Sequence, residues 1–538
     1  MKRLFLLVFV ALASIYTLET TDVIGLSSYK PRLEAAFVVN EYVLSWPRLP
    51  YLGYYEVEIL KSPPASDRIK VPSSERILRY RTFENSFTVN RTFPFRTYWR
   101  VSAQGLFRHP LGAYSETLDM AAVMGQPAID FRLTKPIATV AYPPSAPASV
   151  KPMLTWTVVQ GAVYYEIEFL TQPPENPNGT EPSAYRYSFS REVFTHGYNP
   201  DLSNYPGSRL WWRVRALTYD GAPQGVFSDA QELNIDRNLQ QPLKPLPTTE
   251  FNKREMPPPL FPVYDWIPIL GAVNYEVEVL SAPPENPNGT GPSQYRIWSK
   301  EVTGFDCYDE QPRSVPGTYY WRVRGLDAAG RPVGVYSDVG SFFVDLRRGS
   351  YAATFGDSIT HGGGAVSYSP GYWDYSFQTY LDFPVVNLGK SGDTTETMVE
   401  RFERDVMPFR PRFLIILGGT NSLRGGTPAE KVIEDLAKIR DRCLARGIRP
   451  IFLTLPPINP AAIKKVFSEE TADNWREEFD KVNDFIRQQR YHIDLDPHMA
   501  DAGRELPDYY AIDGLHPDIA GKKVMAQIIN AYWPSVTR

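Results

Sequence analysis

Apolar and polar positions alternate in a recurring way through the first two thirds of the chain. Tyr164 to Leu170 reads YYEIEFL, Asn274 to Leu280 reads NYEVEVL and Tyr54 to Leu60 reads YYEVEIL. A period of two puts Tyr and Val on one face and Glu on the other, as in half-buried β-strands. Each run has a later companion: WWRVRAL at Trp211 to Leu217, YWRVRGL at Tyr320 to Leu326 and YWRVSA at Tyr98 to Ala103. The second and third copies share the loop PPENPNGT, displaced by 110 positions from Asn176 to Asn286. That interval is too long for a solenoid repeat and suits a β-sandwich. A Trp stands before each first strand, at Trp46, Trp156 and Trp266, placed to fill such a core. Asn178 and Asn288 lie in N-G-T and Asn90 in N-R-T, and turn chemistry is the favoured use of all three. The proline-rich stretch from Asn238 to Pro262 predicts a stiff linker and a first edge strand.

After Arg348 the period changes, and strand-like runs alternate with helical ones, as in βαβ units. Strands are predicted at Ala352 to Phe355, Val385 to Asn387, Phe413 to Leu417, Pro450 to Leu455 and His492 to Leu495. The run FLIIL at Phe413 to Leu417 is apolar throughout, which predicts a central strand of a parallel sheet. One helix carries a full set of start and stop signals. Thr427 is its expected N-cap, Pro428 its first residue and Glu430 the partner in a capping box. Val432, Ile433, Leu436, Ile439 and Leu444 line one face, and Gly447 ends it. A last helix is predicted from Ala520 to Ile529. Residues 349 to 538 thus read as a three-layer α/β/α domain with a parallel sheet.

At 538 residues the chain is too long for one core, in keeping with several domains. A net charge of −4 lacks the basic excess that nucleic acid binding requires. The 33 Tyr and 11 Trp suit sandwich cores first and sugar-stacking surfaces second. Lys2 and Arg3, the apolar run Leu4 to Val10 and Ala11-Leu12-Ala13 read as an export signal within residues 1 to 20. The apolar run is short for a bilayer span, and retention as an anchor stays open. No Cys follows it, so lipid attachment at that point is excluded. The expected location is secreted, periplasmic or cell surface, with no transmembrane span after cleavage. Two cysteines, Cys307 and Cys443, are too few for a disulfide framework, and Cys443 reads as a small buried hydrophobe.

The candidate chemistry sits at predicted strand ends. The first strand of the α/β domain runs into Gly356-Asp357-Ser358, where a hydroxyl at a strand-to-helix junction stands at the carboxyl edge of the sheet. Asp513 and His516 precede the last helix, at a spacing that lets the carboxylate meet Nδ1 of the imidazole within one turn. A serine needs a base tuned to neutral pH, and the base needs a carboxylate to hold its tautomer. The loops Ser391-Gly392-Asp393 and Gly419-Thr420-Asn421 supply candidate oxyanion donors, a glycine N–H and a side-chain amide. No G-x-S-x-G elbow is present, against an α/β-hydrolase. No metal or other cofactor is expected. His361 reads equally as pocket lining or loop histidine, and Asp494 and Asp496 near His498 read as strand-end caps before metal ligands.

The pattern Trp…YEVEV…YWRVRA resembles fibronectin type III-like modules, over 38 to 122, 136 to 236 and 245 to 346. That resemblance implies spacing or binding, not chemistry. GDSIT at Gly356 to Thr360, SGDTT at Ser391 to Thr395, GTN at Gly419 to Asn421 and DGLHP at Asp513 to Pro517 resemble the four signature blocks of SGNH, or GDSL, hydrolases. The resemblance implies Ser358 as nucleophile, Asp513 and His516 as acid and base, and the Ser358 N–H, Gly392 and Asn421 as oxyanion hole. Many members carry Asp after the third-block Asn where this chain has Ser422, which leaves the support of that loop open. The implied activity is a secreted carbohydrate esterase removing acetyl groups, with acylated carbohydrate as partner and the β modules as polysaccharide or cell-surface contacts. The alternatives are a lipid or short-chain acyl ester hydrolase, lysophospholipase-like, and a non-catalytic cell-surface binding protein. A chain cut at residue 346 is expected to keep small-ester activity.

Overall fold

The computed structural model describes residues 135–538 except 160, 252–255 and 502, and residues 34–120 with interruptions. The export signal and Asn90 lie outside the described residues. The chain forms two compact units, 1–131 with 501–504, and 132–500 with 505–538. Ahead of the α/β domain the chain is β-rich, and all its named strand pairs there are antiparallel.

The repeated runs are sheet partners. Tyr164–Leu170 lies between Arg186–Val193 and Arg209–Leu217, and Asn274–Leu280 between Arg296–Thr303 and Gly317–Leu326. In the first unit Gly53–Leu60 lies between Arg76–Thr82 and Tyr98–Gly105 in the same way. Trp46, Trp156 and Trp266 are buried, each packed on the Tyr of the neighbouring strand at 5.2–5.4 Å between ring centres. The polar face departs from expectation. Glu168 and Arg213 are both 0% exposed, as are Glu278 and Arg322, so these strands are buried on both faces. The register sets Glu168 opposite Arg213 and Glu278 opposite Arg322, and each pair closes at 2.6–2.7 Å. The proline-rich loop covers them: Arg213 also donates to the Asn176 and Glu181 carbonyls. Charges can be taken out of water only when paired and hydrogen-bonded in this way. The Asn178 side-chain amide holds the same loop to Phe227 and Asp229, and Asn288 does so at Tyr336 and Asp338.

The α/β domain contains five parallel strands, β1 (Ala352–Gly356), β2 (Val386–Asn387), β3 (Phe413–Leu417), β4 (Arg449–Leu453) and β5 (His492–Ile493), in the order β2-β1-β3-β4-β5. The chain reverses its direction of travel across the sheet between β1 and β3, the place where open α/β sheets leave a crevice. Its helices are α1 (Ser358–His361), α2 (Thr395–Val406), α3 (Thr420–Arg424), α4 (Ala429–Ala445), α5 (Pro460–Phe467), α6 (Trp475–Arg487), α7 (Asp496–Met499) and α8 (Ile519–Thr537). All five β3 side chains are buried. The α4 capping box does not form. Pro428 is extended, and the Glu478 carboxylate from α6 accepts from the Ala429 N–H at 2.8 Å in place of Glu430 or Thr427. Among the described residues, no helix is long and apolar enough to cross a membrane.

The proline-rich linker is more than a spacer. Leu246–Pro247 pairs with Val263–Ile267, but Leu260 and Phe261 are buried in the core of the α/β domain. The Leu260 N–H donates to the Asn387 carbonyl at the end of β2, at 2.8 Å.

Candidate active site

β1 runs straight into α1, and Ser358 is the first residue of that one-turn helix. Asp357 caps it, accepting from the Ile359 N–H at 3.0 Å. As a first-turn residue, Ser358 has no intrahelical acceptor for its own N–H. Its Oγ lies 2.9 Å from Nε2 of His516, and Nδ1 of His516 lies 2.8 Å from Oδ2 of Asp513. Asp513 is buried and accepts three backbone N–H groups as well: Leu515 at 2.8 Å, His516 at 2.7 Å and Ala365 at 3.1 Å. Burial alone would raise its carboxyl; the His516 charge and these hydrogen bonds outweigh it and hold Asp513 below the ordinary carboxylate range.

The other predicted residues come to the same place. Ser358, Gly392, Asn421 and His516 line one cleft of about 440 Å³. Gly392 has φ +85° and open space where a Cβ would stand, a conformation that other residues adopt rarely. Asn421 donates one amide hydrogen to the Asp393 carbonyl at 2.9 Å, leaving the second for a ligand. The question raised by Ser422 has a structural answer. Its Oγ accepts from the Thr395 N–H at 2.9 Å, and the Thr395 hydroxyl donates to Asp435 of α4 at 3.3 Å. A serine, a threonine and a more distant aspartate thus join the two oxyanion-loop candidates.

His361 is buried and does not line the cleft. Nδ1 accepts from the Ser391 N–H at 3.3 Å, so Nε2 carries the proton and donates to the Phe261 carbonyl at 2.7 Å. Burial lowers its pKa to about 4. The ring therefore links the segment ahead of the α/β domain to the Ser391-Gly392 loop. Gly389 is needed beside the His361 backbone, because a Cβ there would stand 2.4 Å from the His361 backbone nitrogen. Asp494 and Asp496 are bound by the Arg487 guanidinium at 2.9 Å each.

Three groups carry no sequence signal that was read as functional. Arg401 of α2 is buried and donates to the Gly356 carbonyl at 3.0 Å, to the Leu388 carbonyl at 2.9 Å and to Asp393. Its spacing with Met398, Phe402 and Asp405 places it on the inner face of the helix, the one clue to such a role. Lys522 of α8 is buried and donates to the Ile359 carbonyl. Burial pulls its ammonium down to about 7 against the opposing charges of Asp357, Asp518 and Asp513. Tyr308, from the strand Asp306–Tyr308 ahead of the α/β domain, lines the cleft together with Phe467, Arg424 and Glu469.

A hydroxyl bonded to an imidazole, with a buried carboxylate behind it and N–H donors across the cleft, can attack an acyl carbonyl and stabilise the resulting oxyanion. Comparison with known proteins gives one family model and several similar chains. Residues 354–524 match the GDSL-like lipase/acylhydrolase family model. A curated relative, the uncharacterised lipoprotein YqeF of Bacillus subtilis, is 31% identical over 123 residues, 19% of this chain. The match spans 47% of that relative's length. Among solved structures, a lipase/acylhydrolase from Enterococcus faecalis is 22% identical, covering 35% of this chain and 96% of its own, at a TM-score of 0.29. A putative acylhydrolase from Bacteroides fragilis is 20% identical over 35% of this chain and 88% of its own, at 0.30. A catalytic mutant of an acetylxylan esterase from Geobacillus stearothermophilus is 19% identical over 34% of this chain and 93% of its own, at 0.27. Residues 354–524 are thus similar to the GDSL-like lipase/acylhydrolase family, whose model they match.

Proposed function

We propose that this protein is an extracytoplasmic serine esterase that removes acetyl groups from carbohydrate, with Ser358, Asp513 and His516 as its triad. The observation that carries the reading is the hydrogen-bonded line from Ser358 Oγ through His516 to Asp513, at 2.9 and 2.8 Å, opening on the cleft. His516 Nε2 takes the Ser358 proton as Oγ attacks the ester carbonyl. The oxyanion is met by the N–H groups of Ser358 and Gly392 and the Asn421 amide. Collapse expels the alcohol, which takes the proton from His516, and water repeats the cycle on the acyl-enzyme.

The cleft wall supports a carbohydrate over a lipid. Tyr308 and Phe467 offer aromatic faces, and the paired Arg424 and Glu469 break the apolar surface between polar Ser391 and Asn421. A sugar ring presents both C–H faces and hydroxyls to such a wall, whereas a long acyl chain calls for continuous apolar lining. The Lys2-Arg3 and Leu4 to Val10 pattern, together with a relative that is a lipoprotein, supports a location outside the cytoplasm. The β-rich part, in this reading, consists of three fibronectin type III-like modules, supported by the recurrent central strand, its two antiparallel neighbours and the buried Trp.

The test is a panel of acetylated glycans and phospholipids, with free acetate and fatty acid as readouts. Acetate release from glycans is expected, reduced by about 10³-fold or more in Ser358→Ala with the thermal melt retained. Unchanged turnover in that variant rejects Ser358 as nucleophile, and release of fatty acid alone rejects the carbohydrate.

A further inference from the structure

The cleft has a wall that the α/β domain does not supply. Tyr308 belongs to a strand whose register with Val263–Ile267 pairs Val263 with Tyr308 and Tyr264 with Cys307. The next residue is tied down as well, with the Asp309 N–H donating to the Pro262 carbonyl at 2.9 Å. Phe261, one residue before Pro262, holds His361 through its carbonyl. The Tyr308 ring packs edge-on against the His361 ring at 5.8 Å between centres. The residue is therefore held at the cleft by backbone pairing on a rigid strand, on the side of the Ser391-Gly392 loop. Phe467 stands against the other partner, 6.3 Å from the His516 ring.

The Tyr308 hydroxyl has no hydrogen-bond partner among the described residues, although its backbone carbonyl accepts from Lys300 at 3.4 Å. Burial, reinforced by the Asp306 and Asp265 carboxyls, holds the phenol well above its ordinary pKa, so it is a neutral O–H donor. Tyr308 is half-buried and lines the cleft, and a phenol there without a partner calls for a polar group from whatever fills the cleft. An acetyl group offers none to spare: its methyl is apolar and its carbonyl oxygen is claimed by the oxyanion donors. The remaining polar atoms of such an ester are on its alcohol.

We propose that Tyr308 is a specificity-determining residue of this esterase, supplied from outside the α/β domain, whose ring walls the cleft and whose hydroxyl hydrogen-bonds a hydroxyl of the substrate's alcohol portion. The inference rests on the carbohydrate reading for the identity of that alcohol, but not for the contact itself. It makes the substrate site composite, built by two parts of the chain with different folds.

The test uses the full chain with Tyr308→Phe and Tyr308→Ala, and kcat and KM for a mono-acetylated methyl glycoside and for butyl acetate, which lacks hydroxyls. Tyr308→Phe keeps the ring and breaks no hydrogen bond of the fold, so its thermal melt should match the parent. The KM of the glycoside is expected to rise about tenfold relative to that of butyl acetate, the scale of one lost hydrogen bond, with the ratio of the two kcat values held. Equal KM changes on both esters in both variants overturn the proposal. Should the parent enzyme leave the glycoside untouched, the carbohydrate reading fails on its own. Tyr308 is then judged on acetates of rising alcohol size. A preference shifted toward larger alcohols in Tyr308→Ala sustains the wall, and an unshifted one overturns it.

Discussion

Two buried groups at the candidate site, Asp513 and His361, have partners that set their protonation state. Asp513 receives four donors, three of them backbone N–H groups, which leaves it an anion facing Nδ1 of His516. His361 is the opposite case, an imidazole kept neutral in the interior. Its folded pKa of about 4 lies below the roughly 6.5 of an unfolded histidine, so the unfolded chain binds the extra proton between those values. Stability from this group is complete above pH 6.5 and is lost as pH falls toward 4, by roughly 3 kcal/mol at the acid end. His361→Gln should flatten that acid limb. Urea denaturation of parent and variant between pH 7.5 and 4.5 checks it, and parallel limbs would assign the acid loss to other groups. Asp357 and Asp518, which burial raises to about 6, act with the opposite sign and lose stability as pH rises from 4 to 6. The residue identities were legible because four blocks in the right order fall at predicted strand ends, although Ser and Asp singly are common there as turn and N-cap residues. The burial of His361 was not, since it comes from a carbonyl 100 positions away.

At the scale of elements, β1, α1 and the loops after β2 and β3 are drawn together by α2. Arg401 bonds the ends of β1 and β2 and the oxyanion-loop candidate Asp393 at once. Replacing it with Met leaves Asp393 buried without its cation and takes a donor from the Leu388 carbonyl, while the Gly356 carbonyl keeps the Lys390 N–H. A cost of about 3–5 kcal/mol is expected for breaking a buried pair from one side. The denaturation midpoint of Arg401→Met and its kcat measure this; a kcat that falls while KM holds indicates that the network positions the oxyanion loop. An unmoved midpoint would mean the charges find water or another partner. Strand identity was readable from the apolar run of β3, whose bounds match the prediction at Phe413–Leu417. The start of α4 was not. Thr427 and Glu430 form a capping signal, but Glu478 from α6 reaches the Ala429 N–H first, and a tertiary partner displaced the local one.

At the scale of the molecule, the second and third β-rich stretches are not separable from the α/β domain. The segment after α1 threads between them. Tyr368, Tyr372 and Tyr375 join the core of the one, with Tyr368 bonded to Tyr165 at 2.8 Å, while Trp373 joins the core of the other. Ser369 donates to the buried Asp265 at 2.6 Å. The same segment begins at the cleft, where Ala365 donates to Asp513. Cutting at 346 removes Leu260, Phe261 and these partners, so the structure argues for the opposite outcome to an independently active hydrolase. Each buried side chain lost costs about 2–5 kcal/mol, more in sum than the stability of a typical domain. A chain of 347–538 is expected to lose its cooperative melt and its activity, and one of 132–538 to keep both. Acetate release and calorimetry on the two decide it, and an active 347–538 would restore the separable picture.

The sequence by itself determined which segments alternate as strands, where the parallel sheet begins and which four short blocks carry candidate chemistry. Those properties depend on neighbours a few positions apart, and periodicity records them. Only the tertiary structure decided that the Glu and Arg faces of the repeated strands are buried, that His361 carries its proton on Nε2 and that Tyr308 reaches the cleft. Each of these depends on groups tens to hundreds of positions apart meeting in a dry interior, where pairing rather than residue type sets charge, burial and orientation.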